Sequence, residues 1–94
     1  MGTASTMACI TETLGMALPG TAAIPAIHAD RLRAAEASGA QAVHLAQIDR
    51  DKQLTPKNII TPASVENALR ILLAVGGSTN AIIHLTAIAG RLGI

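Results

Sequence analysis

The run Gly76-Gly77-Ser78-Thr79-Asn80-Ala81 sets two glycines, two hydroxyls and a carboxamide between two apolar stretches, the arrangement in this chain with the clearest chemical use. Glycine ends a helix at little cost because it tolerates positive φ. Ser78 or Thr79 is then placed to cap a helix running from Ala81 through Ala89, leaving first-turn N–H groups and the positive end of the helix dipole pointing outward. Such an end suits an anion, and the same pattern also builds a plain interhelical corner. A second hydroxyl-rich stretch opens the chain, with Thr3, Ser5, Thr6, Thr11 and Thr13. Small hydroxyl side chains let backbone approach a ligand closely and donate to anionic oxygens, and close helix packing uses them equally well. Thr3, Ser5, Ser78, Thr79 and Asn80 are therefore the candidate substrate-binding residues.

No other group of residues has the spacing of a reactive centre. His28, His44 and His84 are scattered, and Cys9 is the one thiol, so no metal-ligand pattern is present. Cys9 lies between Ala8 and Ile10 with no basic neighbour, which describes an inert, buried thiol. His84 reads as a hydrogen-bonded core residue on an apolar helix. The carboxylates show no paired spacing for acid and base catalysis. Glu12 stands apart, because its helix is otherwise Thr, Ala, Met and Leu, and it is expected to be partly buried with a partner.

The elements that must position these residues are helical. Ala4, Met7, Ala8, Thr11, Leu14 and Leu18 recur at three- and four-residue steps, predicting a helix from Thr3 to Leu18 that stops at Pro19-Gly20. Thr21 to Ile27 is a connector in which Pro25 holds Ile24 extended. Asp30 is placed to cap a helix to about Ile48 carrying Leu32, Ala35, Val43 and Leu45. The charged segment Asp49 to Pro56 reads as a surface loop open to proteolysis. Thr61 as cap and Pro62 at the first helical position start a third helix to Val75, with Val65, Ala68, Leu69, Leu72 and Leu73 along one face. The fourth, Thr79 to Leu92, is apolar almost all round. The reading is mainly α, four helices, with no strand and no internal repeat.

Composition bounds the rest. In 94 residues there is no Phe, Tyr or Trp, so the core must be built from Ala, Ile, Leu, Val and Met, without the side chains that usually carry much of a small core. Seven Lys and Arg against six Asp and Glu, without a run, give no basic patch for nucleic acid. Apolar runs such as Ile71 to Val75 fall well short of the ~20 residues a membrane helix needs. The N-terminal stretch has no basic region of the kind a secretory signal requires, and the single cysteine fits a reducing compartment, so a cytoplasmic setting is expected. A chain of this kind should expose an apolar surface centred on Ile82, Ile83, Leu85, Ile88 and Leu92 with Leu72 and Leu73, and so associate.

Four motifs in order, Met1-Gly2-Thr3-Ala4-Ser5-Thr6-Met7-Ala8, Leu14-Gly15-Met16-Ala17-Leu18-Pro19-Gly20, Thr61-Pro62 with Glu66-Asn67-Ala68, and Gly76 to Ala81 with His84-Leu85, resemble the dihydroxy-acid and sugar-acid dehydratases over essentially the whole chain. Thr-Ala-Ser-Thr-Met and the closing Ile-His-Leu-Thr-Ala-Ile-Ala-Gly-Arg look most similar to the aldonic-acid branch, arabinonate dehydratases among them, with the branched-chain amino-acid enzyme as the alternative. The resemblance implies that residues 1–94 are an internal piece of the α/β N-terminal domain of a larger, homo-oligomeric lyase. In that family an iron-sulfur cluster acts as Lewis acid on the 3-hydroxyl, magnesium holds the carboxylate end, and a serine alkoxide takes the C2 proton, giving a 2-keto acid. A cluster cysteine precedes the Met-Gly-Thr-Ala motif, and Cys9 does not match it. The resemblance thus assigns no catalytic residue and no metal ligand to this chain, and neither cofactor is expected bound to it. The isolated chain is expected to be inactive. A non-enzymatic helical interaction module is the rival reading.

Overall fold

The computed structural model describes residues 2–48 and 54–94. It holds five helices, α1 (Gly2–Thr13), α2 (Ala29–Gln47), α3 (Pro56–Ile59), α4 (Pro62–Ala74) and α5 (Asn80–Arg91), and no strand among the described residues. The all-helical reading and the four long helices hold, and three boundaries differ for local reasons.

The first helix ends at Thr13 and not at Leu18. Gly15 takes φ +89, its N–H reaches the Glu12 carbonyl (3.1 Å) and the Met16 N–H reaches the Thr11 carbonyl (3.0 Å), the paired closing bonds of a Schellman turn. The apolar period running on to Leu18 masked this stop. At α2 the cap is His28, whose Nδ1 accepts from the Asp30 N–H at 3.1 Å, so Asp30 sits in the first turn. The short α3 was not expected; Pro56 opens it and the Ile59 N–H closes on the Thr55 carbonyl at 2.9 Å. Of the expected surface loop, Asp49 to Gln53 lie outside the described residues. Thr61 and Pro62 begin α4 as read, the Thr61 hydroxyl oxygen accepting from the Ser64 N–H at 3.2 Å.

A stripe no wider than one face per helix makes the core. Ile10 and Leu14 from α1 and its closing turn, Ile60, Ala68 and Leu72 around α4, and Ala81 and Leu85 on α5 are buried together, with Met7, Ile59, Val65, Ile88 and Leu92 packed at the edge. α1 lies on α4 and α5, which also touch each other. The four-residue steps Ala68 to Leu72 and Ala81-Leu85-Ala89 put the contact on one line, so a side chain one position on is turned by about 100° and leaves it. That is why Leu73 is 81% exposed and Ile83, two positions from both Ala81 and Leu85 and so turned about 160–200° off the line, is 67% exposed, whereas Leu72 and Leu85, expected on the open surface with them, are buried. Leu69, placed with the α4 face, is likewise exposed. No residue of α2 is buried.

Two glycines make the packing possible where α4 turns into α5. Gly76 takes φ +64 and closes α4 as Gly15 closes α1, with the Gly77 N–H on the Leu72 carbonyl at 3.1 Å. At Gly77 a Cβ would stand 2.6 Å from Thr6 Cγ2 and 2.9 Å from Leu72 Cδ1. Gly77→Ala should therefore destabilise the chain by about 1–3 kcal/mol, while Gly90→Ala, with open space at its Cβ, should be neutral or stabilising by up to about 1 kcal/mol. Urea titration followed by circular dichroism checks both.

Candidate functional site

The close approach at Gly77 brings the start of α1 against the α4–α5 turn, and there the two hydroxyl-rich stretches meet. Thr3 and Thr6 are three residues apart on α1 and so share a face. Thr6 is buried; its hydroxyl donates to the Gly2 carbonyl at 2.7 Å and its oxygen accepts the Ser78 N–H at 3.2 Å. Thr3 Oγ1 and Ser78 Oγ share a hydrogen bond of 2.9 Å, and the Asn80 Nδ2 donates to Thr3 Oγ1 at 3.4 Å. Ser78 Oγ also accepts the Asn80 N–H at 3.2 Å, so Ser78 performs the capping at the head of α5, and Thr79, exposed, makes no capping bond.

Of the five candidate residues the structure joins Thr3, Ser78 and Asn80 in one network. Ser5 stands beside it, on the rim of a hollow of about 440 Å³ bounded by Gly2, Thr6, Cys9 and the Val75–Ser78 backbone. Thr79 stays outside. Thr6 is the hub the candidate set lacked, and its signal was the i,i+3 spacing from Thr3. Among the described residues no buried side-chain nitrogen or oxygen lacks a partner. Cys9 is half-buried on the wall of the hollow, and His84, expected in the core, is exposed. The reason is register: His84 falls between Ala81 and Leu85 and is turned off the line that packs.

A second cluster fastens the connector that follows α1. The Glu12 carboxylate accepts the Ala22 N–H at 2.9 Å. That amide first, with those of Gly20 and Thr21, holds the Glu12 carboxyl below its ordinary value, outweighing the opposite pull of burial. The partner expected for Glu12 is thus main chain. The Arg31 Nη2 donates to the Thr21 carbonyl (3.1 Å) and the Ile24 carbonyl (2.5 Å), tying the start of α2 to the same connector. A hollow of about 450 Å³ lies between the Gly15–Pro19 segment, the Ser38–Leu45 side of α2, and Leu54 and Ile59.

Among the described residues no three of His, Cys, Asp or Glu converge as a metal would require. They do not fit an iron-sulfur cluster or a magnesium ion, and no chemical step is assigned to either.

The sequence that folds into this serine-capped, threonine-latched arrangement matches a dehydratase family along its whole length. The chain is a member of the family described as Dihydroxy-acid/6-phosphogluconate dehydratase N-terminal, which matches residues 1–94. It is 53% identical over 92 residues to a dihydroxy-acid dehydratase of Methanospirillum hungatei, covering 98% of this chain and 16% of that protein. It is 51% identical over 94 residues to one of Caldicellulosiruptor saccharolyticus and 45% identical over 94 residues to one of Nitratidesulfovibrio vulgaris, covering all of this chain and 16% of each relative. The chain therefore spans about one-sixth of the length of these relatives. Their names favour the dihydroxy-acid alternative over the arabinonate branch.

Thr6→Val should leave the Ser78 N–H without its acceptor and cost about 1–3 kcal/mol, with Thr6→Ser largely restoring it; denaturant midpoints read both. Because the Glu12 carboxyl is depressed in the folded chain, its stabilisation is complete above the ordinary value of 4.5 and is lost as pH falls through the lower folded value. Hydrogen-exchange protection at Ala22 should drop with acid over that range before protection at Leu72 does, and Glu12→Gln should remove the pH dependence.

Proposed function

We propose that this chain forms part of the N-terminal domain of a hydro-lyase that removes water from a 2,3-dihydroxy acid to give a 2-keto acid, the dihydroxy-acid dehydratase reaction. The observation that supports it is the identity of 45–53% to proteins of that name along essentially the full 94 residues. A sugar acid is the second substrate class, supported by the 6-phosphogluconate dehydratases included in the family's description. In this reading the chain's own residues hold and orient; they do not supply the base. Thr3, Ser5, Ser78, Thr79 and Asn80 would form an edge of hydroxyls and a carboxamide near the head of α5, where the helix dipole favours the substrate's anionic end although the Ser78, Asn80, Ala81 and Ile82 N–H groups are bonded within the chain. Ser5, Thr79 and Asn80 are exposed; Ser5 and Thr79, whose hydroxyls make no side-chain bond among the described residues, would meet the substrate, while Thr3, Ser78 and Asn80 fix the edge through their mutual bonds.

Replacing the matching stretch of the Methanospirillum hungatei relative by residues 1–94 tests the proposal. The chimera is expected to form 2-keto acid from a 2,3-dihydroxy acid, read as its hydrazone, at least ten times faster than from an aldonic acid. The 94-residue chain alone is expected to form none. A folded but inert chimera, or an active isolated chain, would overturn the reading.

A further inference from the structure

Helix α2 is the part of the molecule least accounted for. It runs for 19 residues, has no buried residue, and among the described residues packs against no other helix. Helices in proteins draw most of their stability from packing an apolar face, and α2 is fastened at its start, by Arg31 and the His28 cap. It nonetheless carries such a face. At 100° per residue Leu32, Gly39 and Val43 fall within about 40° of one another, with Ala35 beside them. Leu32 is 77% and Val43 58% exposed, and a Cβ at Gly39 would meet open space. Of the residues that line the hollow toward the rest of the chain, Ser38, Gln41 and Leu45 lie roughly 100° or more round the helix from Leu32, Gly39 and Val43, and Ala42 lies beside Ala35, so those three positions turn away from the hollow and Ala35 stands at its edge.

The surface of the whole chain points the same way. A compact protein of 9.6 kDa exposes about 5,100 Å², and this chain exposes 6632 Å². The surplus of about 1,500 Å² exceeds the ~800 Å² that one partner contributes to a standard interface. The relatives, of which the chain spans 16%, contain the polypeptide that could cover it.

We propose that the Leu32-Ala35-Gly39-Val43 stripe of α2 is a docking face for an apolar element from the remainder of the same dehydratase polypeptide, with Gly39 admitting it to close backbone distance; this rests on the functional reading above. The pair Leu32→Lys and Val43→Lys keeps good helix formers on exposed positions, so the isolated chain should keep its helicity and midpoint. In the chimera with the Methanospirillum hungatei relative the same pair should lower Tm by about 5 °C or more, because two charges must then enter an apolar contact. An unchanged chimera Tm would overturn the proposal. So would an isolated chain that sediments as a dimer dissolved by the two lysines, since a second copy would then be the occupant. A chimera that melts as expected but dehydrates no acid would overturn the functional reading and leave the docking face standing.

Discussion

The approach of the Gly77 backbone to Thr6 is the constraint on which the remaining contacts depend. Only an absent Cβ lets the α4–α5 turn settle on α1 closely enough for the Ser78 N–H to reach the Thr6 oxygen. That bond sets the height of α5 against α1, and the line Ala81-Leu85-Ala89 then finds Ile10 and its neighbours. The small residues along the contact suit a core without aromatic side chains, since helices that meet through alanine can approach closely and need less side-chain volume to fill the space between them.

Polar atoms at this junction do two jobs that pull against each other. Every hydroxyl spent on a neighbouring hydroxyl stiffens the edge, and a stiff edge presents the head of α5 in one orientation. The same bonds leave Thr3 and Ser78 less free to turn toward a ligand. In the proposed role this is a preorganised edge in which the exposed Ser5 and Thr79 hydroxyls are left without a side-chain bond among the described residues. Glu12 and Arg31 apply the same logic to the connector, holding main chain with charged groups where no apolar contact is available.

Much of this was legible in the sequence where the signal was local. Thr61-Pro62 and Gly76-Gly77 are punctuation that acts over three or four residues, and α4 and its end fell where they were read. The stop at Gly15 was equally local and was overridden by an apolar period that continued through Met16 and Leu18 without being helical. What periodicity could not supply was the width of each contact. Leu72 and Leu73 have the same hydrophobicity, and which one is buried depends on where α1 lies, a fact set by residues more than sixty positions away. The hub role of Thr6 was hidden for the same reason: its partner is 72 residues distant. The family itself was legible because four short motifs stood in register, whereas the arabinonate branch read from two of them is not the one that the relatives' names carry.

That separation of 72 residues has a consequence for how the chain is made. A ribosome working at ~5–20 residues per second takes roughly 4–14 s to go from Thr6 to Ser78. For most of that interval α1 has been synthesised and the helices that cover Ile10 and Leu14 have not. α4 precedes α5, so the more extensive partner of α1 is made first and the Ser78 latch afterwards. α1 is made before the helices that shelter it, and its run of threonines, each bonding back to its own backbone at Thr6, Thr11 and Thr13, lets it wait in water with less apolar surface than a leucine-rich helix would show.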